Sequence, residues 1–514
     1  MYHLMNDAKI KSSPLPPEPS GTSLTRQTAR GFLWMAGQTV SSKIFSFVTQ
    51  IALARILLPR DFGLAALAYT GVAFAGVIRQ TGIQQILIQR RRHFRRWCKP
   101  AFWFELTIGI ATALILAAAS PAVAVVFHSQ ALIGLVLVIA AAAPLSPWIV
   151  VPTARLTIDM RFKAIAMVNT AYNLIVMATS IFLAWRGCGA YSFVLPLPIA
   201  GAVRAAWLWR LAKLRVGPNP QFKRWRFLAA DSGFMLATGF VNSVTLQAGF
   251  LALGLLYNKA VVGQFFFAFN LSTQLAQILS QNLGSVLLPA LSKLREDRPR
   301  HVAAVIRASR MLAFLSIPAC LLLAAVAKPL VDLVYGAKWL PAAPALQLMA
   351  LAMAVNIPNA AAYASLQSKG RFRTLFIYAV AQAPLFIAAV FIGARMGAAV
   401  GVAAAWALAV SIAAPVCIRL ALGNEAGWGM VLKIYAGPII ASLSCLAPAM
   451  FLIWAWHPLA GQYPAQAGLA TALLAVLYPL LGWVCCPAEL GQIRSHLAAV
   501  ATASWQRIGP KADG

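Results

Sequence analysis

The sequence predicts an all-α polytopic membrane protein of about fourteen transmembrane helices. Three observations predict it. The 514 residues are 61% hydrophobic and only 11% charged, with a mean hydropathy of +0.75, whereas a soluble domain carries roughly 25% charged residues. Apolar stretches near the roughly 20 residues that a spanning helix needs recur along the whole chain. The basic surplus, a net charge of +31, is concentrated in alternate connections between those stretches, as the positive-inside rule requires.

In chain order the stretches are Gly31–Arg55, Phe62–Gly82, Ala101–Pro121, Ala131–Val151, Ala164–Trp185, Ala190–Arg210 and Leu228–Tyr257. They continue as Val261–Leu288, Ala308–Ala327, Ala343–Ser365, Leu375–Gly393, Gly397–Arg419, Val431–Trp454 and Ala467–Cys486. Residues 1–30 contain Pro14, Pro16, Pro17 and Pro19 and lack the apolar core of a cleaved signal peptide. They are expected to form a disordered cytoplasmic tail, and residues 488–514 a second cytoplasmic tail. With the N-terminus inside, 33 of the 43 Lys and Arg fall in cytoplasmic segments and seven in external loops. That asymmetry predicts that both termini are cytoplasmic. It also removes the case for nucleic acid as a partner, since topology alone accounts for the charge.

Two sequence landmarks suggest an internal repeat. Ile51–Gly63 (IALARILLPRDFG) parallels Leu251–Gly263 (LALGLLYNKAVVG) at an offset of 200 residues. Arg161–Phe162–Lys163 parallels Arg371–Phe372–Arg373 at an offset of 210. Six helices separate the copies, so the halves share one orientation. The expected organisation is an N-lobe over 31–215, a C-lobe over 216–425, and two further helices over 426–487. A parallel repeat of this kind implies a cavity between two lobes.

The polar residues inside the stretches are the candidates for function, because a charge at the bilayer centre costs roughly 2.5–3.5 kcal/mol. Lys43 lies mid-way along the first stretch and Arg79 in the second. Both are read as cations facing an anionic substrate group. Arg204, beside Trp207 and Trp209, reads as an interfacial anchor. Asn270, Gln274, Gln277 and Gln281 follow the spacing of one helical face. With Gln38 and Gln50 of the first stretch and Asn242 and Gln247 of the seventh, they are candidate hydrogen-bonding groups for sugar hydroxyls. Glu105 and Asp231, near helix starts, read as partners of the helix dipole, so no central carboxylate relay is visible.

Enzyme signatures are missing from the sequence. There is no GxxxxGK[ST] phosphate loop, no HExxH and no cysteine pair with metal-ligand spacing. The seven cysteines are scattered and read as small buried fillers, while the histidines read as isolated loop or loop-edge residues. The external loops are too short to carry the catalytic groups of a polysaccharide polymerase or ligase. No metal or other cofactor is expected.

Several segments together resemble the bacterial polysaccharide-export flippases of the multidrug/oligosaccharidyl-lipid/polysaccharide superfamily, in particular the colanic-acid/exopolysaccharide type. They are Ala54–Arg55 with Arg60–Asp61–Phe62–Gly63, Leu87–Ile88–Gln89, Arg161–Phe162–Lys163, Gly187–Cys188–Gly189, Leu288–Pro289–Ala290–Leu291–Ser292, and Gly336 through Pro344 (GAKWLPAAP). The resemblance runs from about Gly31 to Ala405. It implies a two-lobed transporter that flips undecaprenyl-pyrophosphate-linked oligosaccharide across the inner membrane of a bacterium. It also implies a membrane-lipid environment, with a polysaccharide polymerase and a chain-length regulator as protein partners. Family members often carry Asp where this chain has Gln80, and another near Gly249. Their replacement here counts against carboxylate-based ion coupling. A multidrug antiporter of the same superfamily is the alternative, disfavoured by a cationic, acid-poor cavity.

Overall fold

The computed structural model describes residues 21–78, 83–89, 93–214, 217, 221, 222, 225, 233–294, 296–423 and 427–455. Its described residues are nearly all helical. The helices are α1 (Gly21–Ile56), α2 (Pro59–Ile78), α3 (Ile83–Gln89), α4 (Phe94–Val126), α5 (Ala131–Ala142), α6 (Ser146–Ile158), α7 (Phe162–Trp185), α8 (Tyr191–Val194) and α9 (Pro196–Ala212). They continue as α10 (Gly233–Leu256), α11 (Lys259–Lys293), α12 (Arg298–Ala325), α13 (Ala343–Asn356), α14 (Asn359–Ser368), α15 (Phe372–Leu422) and α16 (Trp428–Ala455). Among the described residues, nine helical segments are long and apolar enough to cross a membrane.

Several boundaries differ from the sequence reading, for local reasons. The first helix begins at Gly21, so the disordered tail expected over 1–30 does not extend through its last ten residues. The fourth span is two helices, α5 and α6, joined by a tight turn at Ala143–Leu145 that contains Pro144. The tenth is likewise broken between α13 and α14, where Pro358 stands as the N-cap of α14 and cannot donate a backbone hydrogen bond. The eleventh and twelfth spans appear as one element, α15, but Gly397 and Ala398 leave helical geometry. The chain therefore turns where the sequence placed the break. The fourteenth stretch, Ala467–Cys486, lies outside the described residues.

The packing is that of a membrane protein. Large apolar side chains project outward, with Leu385 76% and Met396 83% exposed. The interior is built substantially of alanine, which lets helix backbones approach closely. α1 packs along α7, α10 along α15, and α2 along α11. The starts of α2 and α11 cross in backbone contact. A Cβ built on Gly63 would lie 1.8 Å from the Lys259 carbonyl oxygen, and one on Gly263 would lie 1.8 Å from that of Pro59. Only glycine fits either position. Farther along α2, Gly76 has open space around it. The close backbone approach of the two helices is at their starts.

Rings and cations close the tight end. Trp339 is fully buried, stacks on Phe267 at 4.5 Å, and meets Phe62 edge-on at 4.6 Å. Its indole Nε1 donates to the Ala54 carbonyl at 2.9 Å. The Lys338 ammonium donates to the carbonyls of Arg55 (2.8 Å) and Leu57 (2.7 Å) at the end of α1. In return the Arg55 guanidinium donates to the carbonyls of Leu333 and Val334. Each cation satisfies carbonyls at the end of a helical segment, Lys338 those of α1 and Arg55 those of the turn Val331–Tyr335 just before Lys338, where the backbone dipole is negative.

Candidate functional site: a polar seam between α1, α7 and α11

Below the tight end, the structure opens a cavity of about 310 Å³. α1 supplies Ser42, Thr49 and Gln50 to its wall, α7 supplies Asn173, and α11 supplies Asn270 and Gln274. The periodicity of the sequence explains the placement. Ser42, Thr49 and Gln50 recur on one face of α1, and Asn270 and Gln274 stand one helical turn apart on α11. Aromatic residues Phe62, Phe193 and Phe266 roof the cavity toward the tight end. Tyr69 donates from its hydroxyl to the Phe193 carbonyl at 3.0 Å.

α1 and α11 meet chiefly through long side chains rather than close backbone packing. Lys43 donates from Nζ to Gln277 Oε1 at 2.7 Å. Gln274 donates from Nε2 to Gln50 Oε1. The pairs 43–277 and 50–274 run in opposite directions along the two helices, so the helices are antiparallel. Ser42 Oγ gathers two further donors, Gln38 Nε2 at 2.8 Å and Asn173 Nδ2 at 2.7 Å. The Gln50–Gln274 pair leaves Gln50 Nε2 and Gln274 Oε1 buried with no hydrogen-bond partner among the described residues. It thus presents one donor and one acceptor, as a hydroxyl ligand would need.

The sequence-predicted residues separate into groups. Lys43 and Gln277 pair with each other. Gln50, Asn270 and Gln274 line the cavity, and Gln38 braces Ser42 at its edge. Asn242 lines a second cavity, and Gln247 lines neither. Arg79 lies outside the described residues, and the side chain of Gln281 outside the described side chains. Asn173 and Tyr69 were missed. An amide in the apolar fifth stretch was the available signal for Asn173.

Geometry adds to the reading of three further residues. Glu105 is not near a helix start, because α4 begins at Phe94. It is 2% exposed and accepts a hydrogen bond from Ser146 Oγ at 3.1 Å, which ties α4 to α6. His301 does stand at a loop edge, in the first turn of α12, but it is buried rather than isolated, with Nε2 2.9 Å from Ser365 Oγ. Arg204 stacks over the Tyr172 ring at 5.2 Å, which packs it against α7. Among the described residues, no group of His, Cys, Asp and Glu is placed to hold a metal ion.

Comparison with known proteins places this architecture. The family described as "Polysaccharide biosynthesis protein" matches residues 52–344, more than half of the chain. The chain belongs to that family. Among proteins of similar sequence, the succinoglycan biosynthesis transport protein ExoT of Rhizobium meliloti (strain 1021) is 26% identical over 350 residues, covering 68% of this chain and 70% of that one. The lipopolysaccharide biosynthesis protein WzxC of Escherichia coli (strain K12) is 25% identical over 385 residues, covering 73% and 76%. Of solved structures, the lipid II flippase MurJ in an inward closed conformation superposes with a TM-score of 0.69, at 14% identity, over 88% of this chain and 99% of that one. An inward-facing multidrug resistance transporter of the MATE family superposes at 0.58, with 12% identity, over 74% and 93%. This polysaccharide biosynthesis family member therefore shares its fold with the lipid II flippase and with that multidrug resistance transporter.

Proposed function

We propose that the chain flips an undecaprenyl-pyrophosphate-linked oligosaccharide across the bacterial inner membrane, for export of exopolysaccharide, O-antigen or capsule. The observation that carries this reading is the polar seam: one ammonium, Lys43, beside a wall of amides and hydroxyls that contains no carboxylate. A pyrophosphate needs a cation, sugars need amides and hydroxyls, and the prenyl tail can stay in lipid. In this reading Gln277 holds the Lys43 ammonium until the pyrophosphate replaces it. Arg79 and Gln281 extend the substrate path, as do Asn242 and Gln247. The protein acts as a transporter rather than as an enzyme, with a polymerase and a chain-length regulator receiving its cargo.

The same reading includes the finer architecture: fourteen transmembrane helices, both termini cytoplasmic, and two six-helix lobes over 31–215 and 216–425, with two added helices over 426–487. Helix boundaries support the repeat. α1 ends at Ile56 and α10 at Leu256, while α2 starts at Pro59 and α11 at Lys259, each pair 200 residues apart. The reciprocal contacts of Gly63 with Lys259 and Gly263 with Pro59 have the same offset. Rocking of the two lobes about that crossing would give alternating access.

The test replaces Lys43 by Ala and by Arg at equal protein level. Transport of labelled lipid-linked oligosaccharide between leaflets is then measured in reconstituted vesicles. Lys43→Ala should slow it at least about tenfold, the weight of one charge-assisted hydrogen bond. Lys43→Arg should retain a measurable part. Undiminished transport in Lys43→Ala would sink the assignment. The multidrug reading is favoured only by the shared fold and predicts drug resistance in an efflux-deficient host.

A further inference from the structure

The second polar cavity, about 320 Å³, lies among α10, α13, α14 and α15. Its position repeats that of the first. Asn242, Thr245 and Leu246 line it, 200 residues after Ser42, Phe45 and Ser46 of the first cavity. Phe386 lines it, 210 residues after Val176. The contents differ from those of the seam. Four amides converge here, from Asn242, Asn356, Asn359 and Gln382, with the rings of Tyr363 and Trp406 beside them. None of the lining residues carries a formal charge.

That composition selects a ligand class. An anion would call for Lys or Arg, and a metal or ammonium ion for a carboxylate. Amides beside aromatic rings suit a neutral molecule with hydroxyl groups around its edge and C–H groups on its face, which describes a pyranose. Asn359 is 5% exposed, and its Oδ1 is buried without a hydrogen-bond partner among the described residues. It is an acceptor awaiting a donor such as a sugar hydroxyl. The volume is near the lower end of the roughly 300–1,000 Å³ of small-molecule pockets, enough for a single ring but not for a whole oligosaccharide. α11 stands between the two cavities: Asn270 and Gln274 face the first, while Phe269 meets Trp406 of the second edge-on at 6.1 Å.

We infer that this cavity is a binding subsite for one uncharged sugar ring of the transported glycolipid, distinct from the seam that holds its pyrophosphate. The inference rests on the flippase reading above. It is tested with the full-length protein in vesicles, using the glycolipid extracted from the host either intact or trimmed to its first sugar. Asn359→Ala and, separately, Gln382→Ala should slow the intact glycolipid about tenfold, the effect of one lost hydrogen bond. Both should leave the trimmed lipid at the wild-type rate. If Asn359→Ala fails to accumulate, the half-buried Gln382 decides alone. Equal loss with both lipids overturns the inference, as does no loss with either. A loss reversed by raising sodium overturns it in favour of a cation site. Wild-type protein that moves neither lipid overturns the flippase reading itself, whereas loss confined to Lys43→Ala leaves that reading standing and removes only the sugar subsite.

Discussion

The two ends of the α2–α11 crossing and its neighbours are built from opposite materials. At the tight end, backbone touches backbone through Gly63 and Gly263, and Trp339, Phe62 and Phe267 fill the remaining volume. Toward the other end, α1 and α11 are bridged by the long side chains of Lys43, Gln50, Gln274 and Gln277. Packed backbone and rings cannot yield by small amounts, because interiors are dense and deform in discrete steps. Lysine and glutamine side chains can let go one at a time by rotating. On the function proposed above, the difference would give closure to the tight end and ligand exchange to the polar seam.

The strongest way to break that comparison is to add atoms at the crossing. Gly63→Val would place Cβ against the Lys259 carbonyl, where no side chain can shift to make room. Overpacking of this kind costs typically ~1–3 kcal/mol even where neighbours relax, and here the neighbour is backbone. The variant should accumulate but fail to export polysaccharide. Leu57 is buried and serves as a reporter through Leu57→Cys, made in a parent with its own cysteines removed. The new thiol should resist a membrane-impermeant maleimide in that parent and react once Gly63→Val is added. A thiol that stays unreactive in an export-dead variant would mean that the crossing is not the gate.

A smaller effect separates the two partners across the seam. If Gln277 only parks the Lys43 ammonium, Gln277→Ala removes a hydrogen bond from the empty state and leaves the cation in place. Because that bond is lost from the empty state alone and the cation remains, transport should fall less than the roughly tenfold or greater loss of Lys43→Ala. Equal losses in the two variants would show that the pair acts as a structural strut. The double variant sharpens this, because residues in one network do not add.

Most of the fold could be read from the sequence because hydropathy and charge report the solvent directly. The break at Gly397 was legible for the same reason, being a small polar-flanked interruption in apolar sequence. The breaks after Ala142 and Asn356 were not, because Pro144 and Pro358 sit inside stretches that remain apolar throughout. For the site, helical spacing grouped Asn270, Gln274 and Gln277 on one face. It could not say that the first two line the cavity while the third turns to Lys43. That depends on how far α1 stands from α11 at each level, which is a property of packing and not of either helix. Asn242 illustrates the same gap. Polarity alone groups it with the seam, but the fold puts it in the second cavity.

The mildest perturbation tests the cations at the tight end. Lys338 donates to two carbonyls at the end of α1, and Arg55 donates to two carbonyls in return. Their contribution is electrostatic and partly exposed to solvent, so each is worth roughly 0.3–1 kcal/mol at a helix C-terminus. Lys338→Ala leaves the glycine crossing and the Trp339 packing intact. The variant should therefore keep near-normal transport and lose at most a few degrees of melting temperature in detergent. Labelling of the Leu57→Cys reporter should rise only slightly, and most at low ionic strength, where the lost attraction matters most. A loss of transport as large as that of Gly63→Val would move the closing force from packing to charge, and would reverse the division of labour between the two ends.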